Sequence, residues 1–372
     1  MGRSLRGALV GFGFIAENGH APEYRRLAAG GIEIRAIADV TEARRRAAQA
    51  SFPHAKIYES YEALLANESR RLDFVDITTP PYAHAEVAER ALTHGLHVLC
   101  EKPIAVSPRQ AIAMAHRAEA EKRVLFPCHN YRHAPVVEEV RSVLRKDVIG
   151  PVRLATLQTF RTTHARGIAG YRPDWRREHD LAGGGIAMDH GSHTFYLAFE
   201  WLRSYPTSVT AKMGTIGRHD TEDNFSCSLT FPTGIVTAHL TWTSGARKVL
   251  YTLHGPRGAI TVDDDVVSVH RIVGATGASS ELVYRREVAS HWMDASHQEW
   301  FGRLFDDFRQ AIRDGDWLSD QTIDAIQCIQ TIGAAYQSAA NGSIEVSIPD
   351  PRGAMPVRRL AAGSDRPSGT LG

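Results

Sequence analysis

The sequence lacks three features that would place it in a specialised class: a large charge imbalance, a dense cysteine pattern and a long apolar run. Its 43 Lys and Arg residues almost balance 42 Asp and Glu residues, so charge gives no argument for binding nucleic acid or a membrane surface. No stretch approaches the roughly eighteen uninterrupted apolar residues of a membrane span, and residues 1–6 lack the apolar core of a signal peptide. We therefore expect a cytoplasmic protein without a nucleic-acid or membrane partner.

Cysteines are few and scattered. None belongs to a C-x-x-C pair, and most stand within apolar runs, at Cys100, Cys128, Cys227 and Cys328. This distribution predicts buried, reduced thiols and indicates neither a disulfide framework nor a zinc site. With 372 residues, of which 43% are apolar and 23% charged, the chain is long enough for two ordinary globular domains.

A glycine-rich turn follows the first apolar run. Residues 5–10 predict a buried strand, and the segment after them reads Gly11-Phe12-Gly13-Phe14-Ile15-Ala16. In this G-x-G-x-x-A arrangement the first glycine makes a tight turn and the second lets the backbone approach a pyrophosphate. A glycine pattern alone is a weak signal, but its place between a strand and a helical segment is the context that dinucleotide binding requires.

The second apolar run, residues 32–38, ends at Asp39. A carboxylate at this place hydrogen-bonds the adenosine ribose and repels a 2′-phosphate, which favours NAD over NADP. Arg44, Arg45 and Arg46 keep NADP open, since one of them could reach a phosphate. Asp39 could also cap the helix that follows Thr41, and the two roles are compatible.

Strands and helices continue to alternate up to residue 128, which predicts a parallel sheet built from βαβ units. Further strands are predicted at 73–78, 96–100 and 124–128, and helices at 80–94 and 108–122. Ligands bind beyond the carboxyl ends of such strands, so Thr78-Thr79-Pro80-Pro81 and Glu101-Lys102-Pro103 should lie beside the dinucleotide. A loop lysine is usually solvated, but this position makes a catalytic role for Lys102 at least as strong an expectation.

The pattern changes after residue 128. A connecting segment with a helix at 129–147 precedes alternating β-rich runs between 152 and 270, and further helices are predicted at 292–313 and 319–340. The runs predict a mostly antiparallel sheet. We divide the chain into a dinucleotide-binding domain, 1–128, a substrate-binding and oligomerisation domain, 129–348, and a loose tail, 349–372.

Residues 183–201 carry the strongest chemical signal of the second half. The glycines at 183–185 allow the backbone to approach another group closely, and helical spacing begins near Ile186. Asp189 and His193 are four residues apart, so their side chains leave one face of that helix as a usable acid/base pair. The plainer interpretation is an aspartate favoured by the helix dipole and a structural histidine. A zinc site here lacks a third ligand at recognisable spacing, so we expect no metal.

In their order and spacing these motifs resemble the Gfo/Idh/MocA family of dinucleotide-dependent oxidoreductases over most of the chain. The motifs are Gly11-x-Gly13, Asp39, Thr79-Pro80-Pro81 with His84, Glu101-Lys102-Pro103, Trp175-Arg176, and Gly184-Gly185 before Asp189 and His193. The resemblance implies an α/β Rossmann domain followed by an α+β domain with an open-faced, mostly antiparallel sheet, and a nicotinamide in the cleft between them. It also implies that Lys102 faces Asp189 and His193 across the cleft and that the bond before Pro103 is cis.

The resemblance further implies roles for individual residues. The pyrophosphate would lie against Gly11, Gly13, Phe14 and Ile15, and the adenosine ribose against Asp39. The rest of the cofactor would contact Thr78, Thr79, Pro80, His84, Glu101, Lys102, Asn130, Trp175 and Arg176. Lys102, Asp189 and His193 would be catalytic, and the substrate would contact these three together with Tyr131, Arg132, Arg161, His164, Tyr171 and His190.

These roles predict hydride transfer between NAD, with NADP possible, and a secondary alcohol or ketone of a sugar, nucleotide sugar or cyclitol. His193 suits a general base because the pKa of imidazole is near ~6.5. Asp189 would orient it or bind a neighbouring hydroxyl, and Lys102 would stabilise the alkoxide. The sequence departs from the family pattern at His190, where an apolar residue is usual, and at residues 195–197, which lack a common acidic residue.

Two other functions stay open. Some relatives use NAD transiently to cleave glycosides or eliminate a group without net redox change, and a protein of this fold can also be a non-catalytic dinucleotide sensor. The presence of Lys102, Asp189 and His193 argues against a sensor, and no basic recognition helix supports a DNA role.

We expect a homodimer or homotetramer, because the open face of the second sheet would otherwise be an apolar surface in water.

Overall fold

A parallel sheet organises the first part of the chain. The computed structural model describes residues 4–354, apart from 169, 218, 274–278 and 290–296. Within these residues the sheet has six strands in the order β3-β2-β1-β4-β5-β6. They are β1 Leu5–Val10, β2 Ile32–Ala38, β3 Lys56–Tyr58, β4 Phe74–Ile77, β5 His97–Cys100 and β6 Leu125–Pro127. This is the strand order of the Rossmann fold, and its reversal between β1 and β4 opens a crevice at the carboxyl ends of the strands.

Helices cover the parallel sheet. They are α1 Ala21–Leu27, α2 Glu42–Ser51, α3 Tyr61–Glu68, α4 His84–Thr93 and α5 Pro108–Glu121. β4 is buried along its whole length, as a strand packed on both faces must be. The helix starts have local causes: at α5, for example, the Ser107 hydroxyl accepts the N–H of Gln110, and Pro108 fills the first helical position. The predicted elements of this region are confirmed to within a few residues, but the short strand β3 was missed.

The second sheet is mostly antiparallel. Its strands are β7 Leu154–Phe160, β8 Ser208–Gly214, β9 Asn224–Phe231, β10 Gly234–Thr241, β11 Lys248–Gly255, β12 Gly258–Asp263, β13 Val266–Val273, β14 Ser279–Glu287 and β15 Val346–Ser347. Their order is β14-β13-β12-β11-β7-β10-β9-β8-β15, and β7 pairs with β10 in parallel while the other pairs are antiparallel. The fold class predicted from the sequence is therefore confirmed, although β14 and β15 were not predicted.

Five further helices belong to this part of the described chain: α6 Pro135–Arg145, α7 His179–Ala182, α8 Ile186–Leu202, α9 Gln298–Asp314 and α10 Asp320–Ala340. α8 packs on β10, β9 and β7, and α10 packs on β8 and on α8. α8 begins at Ile186, as predicted. The predicted helix 292–313 begins with residues outside the described part, and the tail prediction falls there for residues 355–372.

The face of the second sheet opposite its buried core is polar rather than apolar. Thr156 and Thr237 lie side by side on it and share a hydrogen bond of 3.1 Å, and Ser228 and His239 beside them are exposed. Leu154 and Ile235 are exposed apolar residues at one end of this face. The expectation of an apolar open face was therefore wrong over the central strands, because hydroxyl side chains alternate there with the buried apolar ones.

Helix α9 returns to the first domain. Its buried residues Phe301, Phe305 and Phe308 share one apolar cluster with Leu9 and Phe74 of the parallel sheet. Phe74 and Phe308 meet edge to face, with ring centroids 5.5 Å apart. The domain boundary drawn at residue 128 therefore does not separate the two cores, since residues 298–314 complete the first one.

Candidate active site

A cavity of about 790 Å³ lies where the two sheets meet. Its walls come from the carboxyl ends of β1, β2, β4 and β5 on one side, and from the segment after β7 and the start of α8 on the other. A cleft at the carboxyl edge of a doubly wound sheet is where dinucleotides bind. The cavity therefore contains both a cofactor region and, beside it, the residues predicted to be catalytic.

The glycine-rich turn is built for close approach. Gly11 has φ of +89°, and a Cβ there would press on the Thr78 backbone at 3.0 Å, so a side chain is excluded on two grounds. A Cβ on Gly13 would meet no atom within 4 Å. The backbone at Gly13 is thus open to the cavity, where Phe14 and Ile15 also lie, and it fits a pyrophosphate.

Asp39 holds the turn and faces the cavity. One carboxylate oxygen accepts the N–H of Phe12 and the other that of Thr41, each at 2.7 Å. Thr41 is itself the N-cap of α2, so the alternative role of Asp39 as the helix cap is corrected. The three arginines that could have bound the 2′-phosphate of NADP make contacts within the protein instead. Arg44 donates to the Phe12 carbonyl and to Glu17, Arg45 to the backbone of Asp39, and Arg46 to Glu42. This arrangement favours NAD.

Two loops beside the turn lie where the sequence predicts. Thr78, Thr79, Pro80, Glu101, Lys102 and Asn130 line the cavity. His84 does not: it is fully buried, and its ring nitrogens lie 2.8 Å from the carbonyl oxygens of Thr79 and Pro103. Its assignment as a direct cofactor contact is therefore corrected, since its ring ties the two loops together. The peptide bond between Lys102 and Pro103 is cis, as the resemblance implied.

Lys102 and Asp189 contact each other in the cavity. The Lys102 Nζ donates to the Asp189 carbonyl oxygen at 2.9 Å and lies 3.3 Å from the carboxylate Oδ1. Arg176 Nε reaches the same Oδ1 at 3.3 Å, while its guanidinium stacks 4.2 Å above the Trp175 ring. Burial raises the pKa of the Asp189 carboxyl, but the charges of Lys102 and Arg176 outweigh it and hold that pKa well below its usual range.

His193 is held between two tyrosines. Its ring stacks on Tyr131 with centroids 3.7 Å apart, and its Nδ1 lies 2.8 Å from the Tyr196 hydroxyl, which leaves Nε2 for a ligand in the cavity that His193 lines. Burial, followed by the charge of Lys102, holds the pKa of His193 well below 6.5, so the ring is neutral at pH 7. Asp189 is bonded to Lys102 and Arg176 instead, so the alternative that Asp189 orients His193 is not supported.

His190, the departure from the family pattern, also lines the cavity. Its Nδ1 lies 3.1 Å from Asp189 Oδ2. Burial lowers the pKa of His190 to about 4, although the Asp189 carboxylate acts in the opposite direction. A neutral imidazole can both donate and accept a hydrogen bond, so His190 is suited to a substrate hydroxyl.

Most of the other residues predicted to contact the substrate line the cavity, but not all of them do. Tyr131, Arg161 and Tyr171 line the cavity. His164 lines it too, but its ring nitrogens are engaged with Asp174 and Arg177. Arg132 is not a lining residue: it is buried in ion pairs with Glu200 and Asp324, which removes it from the substrate wall.

The three glycines before α8 approach protein groups rather than the cofactor. A Cβ on Gly183 would collide with Val106, one on Gly184 with the Tyr336 hydroxyl, and one on Gly185 with the Glu222 backbone. Glu222, which the sequence analysis missed, accepts the N–H groups of Gly185 and Ala187 at 2.9 Å each. Its carboxylate thus caps the helix that carries Asp189 and His193, and it fixes the direction of their side chains.

A second missed feature is a buried ionic network behind Glu101. His20 is fully buried, with Nδ1 2.7 Å from Asp76 and Nε2 3.0 Å from Glu101, and Tyr24 also donates to Asp76. Burial lowers the pKa of His20, but the two carboxylates outweigh it and raise that pKa to about 9. His20 is therefore a cation at neutral pH that orients Glu101 toward the cavity.

Replacing His20 by glutamine tests this network. Because the pKa is raised from 6.5 to about 9 on folding, the stabilisation is complete below pH 6.5 and is lost as pH rises through 9; it is on the order of 3 kcal/mol. We expect urea denaturation to show a large gap in unfolding free energy between wild type and His20→Gln at pH 6 and a small one at pH 10. An equal gap at both pH values would contradict a charged His20.

His20, Glu101 and Cys128 also bring three ligand atoms within 4.8 Å of one another, a metal-like grouping within the described part of the chain. The His20 nitrogens already bond carboxylates, and burial raises the pKa of the Cys128 thiol well above its usual value. The grouping is therefore explained by the ion-pair network. The four cysteines are buried and unpaired, as predicted.

Together, the Rossmann sheet, the open glycine turn and the Lys102, Asp189 and His193 cluster define a dinucleotide-dependent oxidoreductase architecture. Comparison with known families agrees. Residues 5–129 match the Gfo/Idh/MocA model described as oxidoreductase family, NAD-binding Rossmann fold, and residues 137–261 match the GFO/IDH/MocA C-terminal domain. The chain belongs to this family, and its first domain is the family's NAD-binding fold.

Among curated relatives, the D-glucoside 3-dehydrogenase of Escherichia coli is 28% identical over 57% of this chain and 59% of its own length. The NADP-dependent D-xylose 1-dehydrogenase 2 of Haloferax volcanii is 27% identical over 84% of this chain and 91% of its own. A solved levoglucosan dehydrogenase in complex with NADH superposes with a TM-score of 0.80 at 21% identity, covering 94% of this chain and 100% of that one. That likeness shows the fold. No helix in the described ranges is long and apolar enough to cross a membrane.

Proposed function

We propose that the protein is an NAD-dependent dehydrogenase acting on a secondary alcohol of a sugar, nucleotide sugar or cyclitol, or reducing the corresponding ketone. The observation that carries the proposal is the convergence of Lys102, Asp189 and His193 in the cavity that also contains the open glycine turn. The named relatives act on sugars, which supports a sugar as the substrate class.

The residues that would hold NAD are those of the carboxyl edge. The turn at Gly13 would take the pyrophosphate, Asp39 the adenosine ribose, and Glu101 the nicotinamide ribose. Bound NAD supplies the hydride acceptor or donor. Trp175 and Arg176 stack on each other at the cavity wall, and they would cover the cofactor.

The chain's own groups manage the proton. In the oxidation direction the neutral His193 would take the proton of the reacting hydroxyl at Nε2. The Lys102 ammonium would stabilise the negative charge that develops on the oxygen. Asp189 positions Lys102 through the contacts at 2.9 and 3.3 Å, and His190 would bind an adjacent hydroxyl. In ketone reduction the same groups return the proton.

The direct test is a panel of free sugars, nucleotide sugars and cyclitols incubated with NAD and NADP in parallel, with absorbance of the reduced nicotinamide as the readout. We expect at least one member to reduce NAD, and NAD to be preferred over NADP because Asp39 faces the ribose region. Product formation without reduced nicotinamide would instead favour the non-redox glycoside-cleaving or eliminating activity, for which the same three residues would serve. Dinucleotide binding without turnover across the panel would favour a sensor.

We further propose a homodimer or homotetramer that works in the cytoplasm. The support for assembly is the breadth of the second sheet, whose polar face carries exposed Leu154 and Ile235 at one end. The near-neutral charge of the chain supports a small-molecule substrate as the only further partner.

A further inference from the structure

The substrate end of the cavity carries more positive than negative charge. Lys102 and Arg176 both contact a single carboxylate, Asp189. The other acidic residues that line the cavity are bound elsewhere. Asp39 holds two backbone N–H groups, Glu62 is hydrogen-bonded with Ser60 and Tyr61, Glu86 accepts from Tyr61, and Glu101 accepts from His20. Asp189 is therefore the carboxylate that Lys102 and Arg176 share.

Arg161 adds a buried cation to this region. It follows β7 directly, lines the cavity and is only 8% exposed. One guanidinium nitrogen donates to the neighbouring Phe160 carbonyl at 3.1 Å. Within the described ranges no carboxylate lies within ion-pair distance of it. A buried charge without a counter-ion is costly, and proteins normally supply a partner for it.

Arg161 lies within electrostatic range of two other residues that line the cavity. Arg247 also lines the cavity, and its pKa is lowered by burial and then by the Arg161 charge. His190 is neutral at pH 7 and is held so by burial, with Arg161 acting in the same direction. The guanidinium group of Arg161 thus lines the same pocket as Asp189. The Asp189 carboxylate is already in contact with Lys102 and Arg176.

We infer that the substrate is an anionic sugar or polyol whose oxyanion, a carboxylate or a phosphate, binds Arg161. Both groups match the planar fork of a guanidinium, which can donate two parallel hydrogen bonds to either. The inference rests on the proposed dehydrogenase function for its sugar class, and it narrows that class from neutral sugars to uronates, aldonates or sugar phosphates. The reacting hydroxyl would remain with Lys102 and His193, and Arg161 would fix the acidic end of the molecule.

Calorimetric binding to the NADH-saturated protein tests this inference without turnover. The panel pairs each acid with its neutral parent: hexuronates and hexose 6-phosphates against hexoses, and aldonates against alditols. We expect at least one acid to bind ten- to a hundredfold more tightly than its parent, as a charged hydrogen-bond pair provides. The two acid classes separate carboxylate from phosphate recognition. Neutral parents that bind as tightly as every acid would overturn the inference.

The variant Arg161→Gln assigns the preference to this side chain. It should reduce affinity for the acid at least tenfold and leave affinities for the parent and for NADH within about twofold. Arg145→Gln, at an exposed arginine of α6, is the matched control and should change nothing. An equal loss of NADH affinity would assign Arg161 to the cofactor pyrophosphate and contradict the inference. Acid binding without reduced nicotinamide from any substrate would contradict the dehydrogenase proposal alone.

Discussion

We expect the replacement of Lys102 by methionine to lower kcat at least a hundredfold while the protein stays folded. The Lys102 ammonium is the cation that contacts both the carbonyl and the carboxylate of Asp189, and methionine keeps the length of the side chain without its charge. Loss of a preorganised charge at a developing oxyanion costs about 10²–10³ in rate. Steady-state kinetics with the substrate identified in the panel measures the effect.

The control for Lys102→Met is Lys146→Met, at the exposed lysine that directly follows α6. Arg176 keeps Asp189 paired after the substitution, so the thermal midpoint of Lys102→Met should stay close to that of the wild type. A kcat within tenfold of the wild-type value would remove Lys102 from the chemistry.

Replacing His193 by glutamine has an effect of similar size, ~10²–10⁴ in kcat, because glutamine cannot take the proton of the reacting hydroxyl. The pH dependence of kcat/KM in the wild-type protein tests the same role of His193. Burial, and then the charge of Lys102, hold the pKa of His193 well below 6.5, and the base is active only when it is unprotonated. The kcat/KM for alcohol oxidation should therefore not fall between pH 8 and 6.5 from protonation of this group.

The pH profiles of the two variants test whether the acidic limb of the wild-type profile belongs to His193. In His193→Gln any acidic limb of the wild-type profile below pH 6.5 should disappear, and Lys102→Met should leave that limb in place. A wild-type profile that falls with a midpoint above 6.5, and that persists in His193→Gln, would assign the base to another group.

The sequence predicted most of the architecture because its patterns are local. β1 and β2 were placed at the observed residues, since apolar runs and turns define them within a few positions. The return of α9 to the first sheet was not predictable in this way. Phe308 meets Phe74 across more than 200 positions, and no periodicity reports which of two sheets an amphipathic helix will cover.

The site residues that were predicted correctly also have local signals, and those that were misplaced or missed depend on distant partners. Gly11, Asp39, Lys102, Asp189 and His193 were placed in the cavity from motifs whose spacing encodes their function. Arg132 was placed there wrongly because its partner Asp324 lies 192 positions away, and Glu222 was missed although the glycines it contacts were identified. A run of glycines indicates that another group packs closely against the backbone, but the identity of that group depends on the tertiary fold.

His20 shows what signal was available. It stands four positions after Ala16, within a π-helical segment, Ala16–His20, that continues into α1. A π-helical turn holds one residue more than an α-helical one and is frequent at functional sites. The buried Asp76 in β4 was a second signal, since a charged residue inside an apolar strand requires a partner.

The proposed function requires that hydride passes from a carbon bearing a hydroxyl group to NAD bound in this cavity. The most direct measurement uses the substrate labelled with deuterium at that carbon, incubated with the protein and NAD, followed by mass spectrometry of the nicotinamide product and of the sugar. We expect reduced nicotinamide that carries the deuterium and a sugar that has lost it, at a rate that falls at least a hundredfold in Lys102→Met. Sugar conversion with the deuterium still in the sugar product, and no labelled nicotinamide, would contradict the proposed function.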